Sequence, residues 1–336
     1  MKTNTKIDFV VTWVDGNDPE WKMQKQEYLE QSENDLNLNS DQRYREWGLL
    51  KYWFRAVETY APWVNKIFFI TEGHVPEWLD LNNEKLIHVK HEDYISKEYL
   101  PTFNSNVIEL NLPNIEELSE QFVLFNDDCF LNADVMPEDF FERELPKDMG
   151  VFSPIVPNPG TIAPIVLNNL LLLNKYFDSR SVFGNNFLKF MNFSYGKHLL
   201  KNLTVLPWTR ILGFYDYHIP ISYKKSIFQK VSLTESEEFA NTSEHRFRTK
   251  EDINHWLVRY WQLCEGHFLP RSQKFGVYFD MGLEKVAAFK SIEKSIHKIV
   301  CLNDISDDYA SQFDSLKEEY NKVFEKKYPK KSKFER

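Results

Sequence analysis

The sequence predicts an α/β protein, a mostly parallel sheet with helices packed on its faces. Two observations carry that prediction. Through residue 131, short β-branched and aromatic runs alternate with segments of helical periodicity, in the order strand, helix, strand, helix, strand. The runs are nearly continuous in apolar residues rather than alternating, as expected of strands covered on both sides.

Residues 7–14, IDFVVTWV, form the first strand, and Asp15, Gly16, Asn17, Asp18 and Pro19 make a turn at its carboxyl end. Polar material at 20–42 reads as helical. A helix at 45–59 places Leu49, Leu50, Trp53, Phe54 and Val57 on one face, and Ala61-Pro62 ends it. Strands follow at 66–71 and Leu86 to Val89, then a helix at 105–118 and a strand at 121–125. Four prolines at 151–165 indicate an ordered loop, followed by a helix at 166–177. Residues 181–215 are rich in aromatic and basic side chains. Amphipathic helices are expected at 222–231 and 250–264, and a terminal one at 310–327 with Phe313, Leu316, Tyr320 and Phe324 on one face. With no internal repeat or low-complexity linker, residues 1–336 read as one catalytic unit. Its core is at 7–131, and an irregular helical elaboration at 151–327 completes the site.

The chain of 336 residues is 42% apolar, enough for a full core, and 15% aromatic, which suits a large core or a cleft for sugar rings. A net charge of −9 argues against a general nucleic-acid binder. Cys129, Cys264 and Cys301 are odd in number and far apart, so neither a zinc knuckle nor a disulfide framework is indicated. No apolar run approaches the ~18 residues of a spanning helix, and the expectation is a cytoplasmic protein. The basic tail KKYPKKSKFER reads as a solvated end, with contact to an anionic membrane surface as the alternative.

The chemistry concentrates at strand ends. QFVLFNDDCFL, residues 121–131, runs from four apolar residues into Asp127 and Asp128. Adjacent carboxylates resist burial without a cation, although Asn and Asp also simply favour turns. Asp15 and Asp18 lie just past the first strand, and open α/β sheets bind ligands at the carboxyl ends of their strands. Two acidic turns at one edge favour a site in which carboxylates share Mg²⁺ or Mn²⁺ on a diphosphate. Asn303 and Asp304 repeat the Asn-Asp pattern, as a loop cap or a further ligand.

Basic partners come from the second half. His218 precedes a prolyl turn, and His245, Arg246 and Arg248 cluster in SEHRFRTKED. Arginine suits bidentate contact with phosphate. Thr249 could cap a helix starting at Lys250, with Asp252 completing the box, which would put Arg248 just before a helix N-terminus. The plainer alternative pairs Arg246 and Arg248 with Glu244 and Glu251 on the surface. Glu109 lies one turn beyond a cap at Asn104, Ser105 and Asn106, facing the strand edge or solvent. Glycine-rich phosphate loops, CxxC, HExxH and GxSxG are absent.

Taken in order, these segments resemble the Stealth family of sugar-phosphate transferases: bacterial capsule enzymes and the eukaryotic N-acetylglucosamine-1-phosphotransferase. The matching stretches are IDFVVTWVDGNDPEW, residues 43–131 with LPTFNS and FNDD, residues 218–253, and CLNDISDD with its following helix at 301–327. The resemblance implies a Rossmann-like, GT-A-like core. It also implies transfer of a sugar 1-phosphate from a nucleotide-diphosphate sugar to a hydroxyl of an acceptor glycan, with release of a nucleoside monophosphate. Family positions correspond to Glu109, Asp128, His218 and Arg248 as catalytic residues, with Thr12, Asp15 and Asp18 at the first strand end. Asn104, Ser105, His245 and Arg246 complete the expected substrate contacts, and Asp127, Asp128 and Asp304 the metal set. Either His218 or Glu109 would take the proton from the acceptor. At Glu46-Trp47 and Leu49 the chain departs from many relatives, which leaves the donor base open. The resemblance also implies work beside the inner membrane or a capsule assembly machinery. The rival readings are a glycosyltransferase releasing a nucleoside diphosphate and a non-catalytic carbohydrate-binding component.

Overall fold

The computed structural model describes residues 6–30, 38–39, 44–158, 161–205, 207–304 and 311–336. Its strands are β1 (Ile7–Thr12), β2 (Ile67–Thr71), β3 (Leu86–Lys90), β4 (Gln121–Asn126), β5 (Cys129–Leu131), β6 (Phe141–Glu142), β7 (Leu145–Asp148), β8 (Ile221–Lys224), β9 (Leu269–Pro270), β10 (Gly276–Asp280) and β11 (Ile299–Asn303). The main sheet runs β3-β2-β1-β4-β8. Its first four strands are parallel, and β8 closes the edge antiparallel to β4. A second sheet, β10-β11-β5, continues the chain that leaves β4. A third small sheet is β6-β7-β9. The α/β fold with a mostly parallel sheet is therefore as expected.

Successive strand residues point to opposite faces, so each strand feeds two cores. Phe9, Val11, Phe69 and Phe125 pack under the Leu50–Tyr60 helix through Trp53 and Phe54. Val10, Phe68, Phe122 and Leu124 face the other way, onto Tyr223, Leu257 and Val258. Phe125 is fully buried, with ring centroids 4.8 Å from Phe9 and 5.5 Å from Trp53. Phe125→Ala is expected to cost about 3–5 kcal/mol by leaving a ring-sized cavity. Equilibrium denaturation would measure it, and a loss under 1 kcal/mol would mean that the layer collapses to fill the space.

Several boundaries differ from expectation for identifiable reasons. The helix expected at 45–59 starts at Leu50, and Arg45, Glu46, Trp47 and Leu49 line a cleft instead. The helix expected at 105–118 ends at Leu110, ahead of Pro113, which lies in a short 3₁₀ turn. The expected 222–231 helix is strand β8 followed by a Lys225–Thr234 helix. The expected 250–264 helix begins only at Trp256. The 166–177 helix starts earlier, at Ala163, with Pro164 in its first turn. Of the expected 20–42 helix, Pro19–Leu29 is helical, while 31–37 and 40–43 lie outside the described residues, as do 305–310.

The tail is not a solvated end. Phe334 is buried, and Glu335 takes a two-pronged contact from Arg55, with Nε and Nη2 each at 2.8 Å from its carboxylate oxygens. No helix among the described residues is long and apolar enough to cross a membrane.

Candidate active site

The β1–β4 register pairs Thr12 with Asn126. Both strands therefore end at one level, and their following turns lie side by side. A cleft of about 1350 Å³ opens there, and Thr12, Asp127, Asp128, Asp304, Ser105, Glu109, His218 and Arg248 all line it. Asp128 occupies the turn between β4 and β5, where its Oδ1 accepts from Cys129 Sγ at 3.2 Å. His218 Nε2 lies 3.9 Å from Asp128 Oδ2, and its Nδ1 lies 3.9 Å from Asp216 Oδ2. The His218 backbone is left-handed, with φ of 48°. That conformation is costly for a residue with a Cβ, and it is held by the amide donating to Asp216 Oδ1 at 3.0 Å. Asp216 is braced from behind by Arg259, 3.9 Å away, which itself forks onto buried Asp148 at 2.7 and 3.0 Å.

Charge follows from this packing. Burial alone would lower the His218 pKa, but the carboxylates of Asp216, Asp128 and Glu109 outweigh it and lift the imidazole to about 9. Asp127 is exposed and lines the cleft. Enclosure there, then repulsion from Asp128 and Glu46, pushes its pKa up to about 8.

Glu109 is not an exposed helix residue. It is buried on the Ser105–Leu110 helix, with Oε2 3.5 Å from His255 Nε2. Burial pushes its pKa up to about 7 against the opposing pull of Arg248 and His218. His255, pushed down to about 3 chiefly by burial, stays neutral and shares a 2.7 Å hydrogen bond between Nδ1 and the Tyr223 hydroxyl. A carboxyl raised from 4.5 to about 7 on folding holds a proton that the unfolded chain has released. Its contribution to stability is therefore most favourable below the unfolded value and declines as pH rises through the folded one. Glu109→Gln removes that ionisation. Its melting temperature is expected to exceed wild type at about pH 8, by on the order of 2–3 kcal/mol of stability, with the gap closing toward about pH 5. A gap independent of pH would mean that the carboxyl ionises as freely in the fold as outside it.

Arg248 does not precede a helix. Thr249 Oγ1 and the Thr249 amide both donate to Asp252, at 2.9 and 3.3 Å, in a turn that ends before the Trp256 helix. Asp252, fully buried, also accepts from Asn104 Nδ2 at 2.8 Å and Asn106 Nδ2 at 2.9 Å, and lies 2.7 Å from His245 Nδ1. This knot ties the 104–110 segment to the 245–252 loop. It delivers Arg248 Nη2 to Ser105 Oγ at 2.6 Å. Arg248 Nη1 is buried with no hydrogen-bond partner among the described residues, a guanidinium edge awaiting an acceptor.

Five expected substrate contacts lie off the cleft wall. Asn104 and His245 belong to the Asp252 knot and do not line the cleft. Arg246 donates to the Pro101 carbonyl at 2.7 Å and covers the Tyr28 ring. Asp18 caps the Pro19–Leu29 helix, accepting from the Trp21 amide at 2.8 Å. Asp15 also lies off the cleft wall, accepting from the Asn17 amide at 2.8 Å.

The donor atoms that could meet on one cation differ from the expected trio of carboxylates. Among the described residues, Asp128, His218 and Cys301 place theirs within 4.8 Å of one another, and Asp127 and Asp304 are not in that group. Asp304 instead pairs with Arg45 at 3.4 Å and accepts from Trp47 Nε1 at 3.2 Å. Burial holds the Cys301 thiol protonated, far above its ordinary range, which makes it a poor ligand. The imidazole, lifted to about 9, carries a proton as well, so the Asp128 carboxylate is the ligand that remains, a hard oxygen donor that suits Mg²⁺ or Mn²⁺.

Three family descriptions match the chain: Stealth protein CR1, conserved region 1, over residues 5–33; conserved region 2 over 43–148; and conserved region 3 over 217–261. A capsular polysaccharide phosphotransferase WcwK of Streptococcus pneumoniae is 53% identical over 336 residues, covering 100% of both chains. The chain belongs to the Stealth family. It is a transferase enzyme by that membership. The exopolysaccharide phosphotransferase cps2G of Lactiplantibacillus plantarum is 40% identical, with 98% of this chain and 96% of that one covered. Among solved structures, glycosyltransferase GlyE of Streptococcus pneumoniae TIGR4 aligns with 12% identity and a TM-score of 0.41, over 96% of this Stealth chain and 63% of its own length.

Asp216, His255, Asp252 and Cys301 belong to this Stealth site or its support and were not expected from the sequence. Asp216 left a local signal, two residues before His218 in YDYH, and Asp252 left one that pointed to a helix cap.

Proposed function

We propose that this chain transfers a sugar 1-phosphate from a nucleotide-diphosphate sugar to an acceptor-glycan hydroxyl, releasing a nucleoside monophosphate, in capsular or exopolysaccharide synthesis. The observation that supports it best is Arg248, which lines the same cleft as Asp128, His218 and Glu109 and whose buried Nη1 has no hydrogen-bond partner among the described residues. Phosphoryl-type transfer asks a protein mainly for positioning and charge neutralisation, and this cleft offers two cations beside a strand-end carboxylate. A divalent ion held by the Asp128 carboxylate and the diphosphate oxygens would neutralise diphosphate charge.

In this reading the acceptor oxygen attacks the sugar-bearing phosphorus. The bond from that phosphorus to the oxygen bridging the two phosphates breaks, and its electron pair leaves with the nucleoside monophosphate. Arg248 steadies the transferred phosphate through Nη1 while Ser105 fixes its other nitrogen. The proton of the acceptor goes to Glu109, whose pKa of about 7 suits a base, rather than to His218, which at about 9 already carries a proton. His218 serves as a cationic partner of Asp128 and the phosphate. The aromatic rings of Tyr215, Tyr217 and Tyr278 line the cleft and suit sugar faces.

The decisive measurement is the nucleotide product. A monophosphate is expected, and a diphosphate would convert the reading to plain glycosyl transfer. The pH–rate profile is expected to be bell-shaped, rising through about 7 as Glu109 ionises and falling through about 9 as His218 loses its proton. His218→Gln should remove the alkaline limb and keep the acid one. Loss of the acid limb instead would make His218 the base.

A further inference from the structure

Charge and exposed apolar surface are unevenly spread over this chain. Residues 149–215 contain six basic residues and one acid, Asp178, in a chain with 50 acids. Nine of the sixteen large apolar side chains that stand exposed among the described residues fall in that segment. Six of them lie between positions 187 and 208: Phe187, Leu188, Phe193, Leu200, Leu203 and Trp208. Leu188 is 81% and Phe193 90% exposed.

The scaffold beneath them is tightly held. Phe190, Tyr195 and Asn202 are wholly buried. Asn202 Nδ2 donates to the carbonyls of Gly150 at 2.8 Å and Phe190 at 2.6 Å, and the Tyr195 hydroxyl donates to the Lys189 carbonyl at 2.7 Å. The short helices Phe187–Phe190, Phe193–His198 and Leu199–Thr204 therefore present their apolar side chains outward from a fixed base. Of the six cations, Lys175 pairs with Glu235 at 3.0 Å, Lys189 donates to the Gly266 carbonyl, and Arg180 lies near Asp178 and donates to the Pro207 carbonyl. Among the described residues Arg210 reaches a backbone carbonyl, Lys201 lies over the Tyr215 ring, and Lys197 is exposed.

We propose that this face docks on a bilayer surface rich in anionic headgroups. The lysines and arginines meet headgroup phosphates, and Phe193, Leu200 and Trp208 enter the boundary between headgroups and acyl chains. A second copy of the chain is a poor occupant, because it would bring two cationic faces together. Lys197 and His198 of the same segment line the cleft, so docking holds the mouth of the cleft at the membrane. The inference rests on surface chemistry alone and stands apart from the reaction assigned to the cleft.

The test is co-sedimentation of the full chain with vesicles of phosphatidylglycerol or of phosphatidylcholine. Wild type is expected to partition at least about tenfold more strongly onto phosphatidylglycerol, with the preference falling as salt rises. Phe193→Ser with Leu200→Ser should lower partition onto the anionic vesicles at least about tenfold while the thermal melt is unchanged. Lys201→Glu with Arg210→Glu, which leaves the apolar side chains in place, should abolish the preference between the two lipids. Leu233→Ser, an exposed position outside the segment, should bind as wild type does. Equal binding to both vesicle types, undiminished binding by the Phe193 and Leu200 double variant, or equal loss in Leu233→Ser would overturn the proposal. So would a dimer seen by light scattering that the same double variant dissolves, because a second copy would then cover the face.

Discussion

Asp128→Asn is expected to lower turnover at least about 10³-fold while leaving the fold intact. The substitution keeps the shape of the side chain, including an oxygen to accept from Cys129 Sγ, and removes only its charge. That charge has two uses that no neighbour can assume. It belongs to the group of described residues whose donor atoms converge for a cation, and it faces the His218 imidazole at 3.9 Å. Burial and the neighbouring carboxylates push the pKa of Asp127, next in line, up to about 8. Asp127 also lies outside the converging group. Because Asp128 is only half-buried, the melting temperature should move little. Titration of Mn²⁺ followed by electron paramagnetic resonance gives a readout separate from turnover, and the variant should show weakened binding. Activity within about tenfold of wild type, or wild-type activity undiminished by excess chelator, would remove the carboxylate from the centre of the chemistry.

Arg248→Ala should weaken donor binding and turnover together, by about 10²–10³-fold in kcat/KM. The side chain is fixed through Nη2 on Ser105 and leaves Nη1 buried without a partner. A buried guanidinium edge in that state gains more from a phosphate oxygen than an exposed one would, since the cost of removing it from water is already met in the free enzyme. Lysine lacks the planar fork that sets one nitrogen on Ser105 and another toward a phosphate, so Arg248→Lys should recover little. Ser105→Ala should cost less than either, because it loosens the fork without deleting it. Calorimetric titration with the nucleotide-sugar donor separates the possibilities. Donor affinity unchanged in Arg248→Ala would place the guanidinium away from the diphosphate.

The parallel core was legible because its strands are local apolar runs, and FNDD advertised itself by stopping one of them abruptly. Glu109 was found but its surroundings were not. The helix carrying it ends at Leu110, and the side chain turns inward against His255, a contact that no local periodicity announces. The same holds for Asp252. Its sequence looked like a helix-capping box with Thr249, and the hydrogen bonds are indeed made, but a buried carboxylate also binding Asn104 and Asn106 forms a knot between distant segments instead of starting a helix. Asp15 and Asp18 show the local use of such residues. Their position past a strand end suggested ligand binding, whereas Asp18 caps a helix and Asp15 holds its own turn. Local patterns report hydrogen-bonding appetite, and only the long-range fold decides which partner satisfies it.

The antiparallel edge strand β8 has an implication for how this chain can be divided. It arrives from residues 221–224, yet it pairs with β4 of the first half through Gln121, Phe122, Val123 and Leu124. A fragment ending near Leu131 would keep four parallel strands but leave that flank of β4 raw. Phe122 and Leu124 would be stripped of Tyr223 and Ile221 beside them. Unpaired, flat and apolar edges recruit strands from other molecules. Such a fragment is destined for aggregation rather than for a miniature nucleotide-binding domain, and a split version of this protein has its best chance where both pieces are made together and β8 can find its place before another chain does.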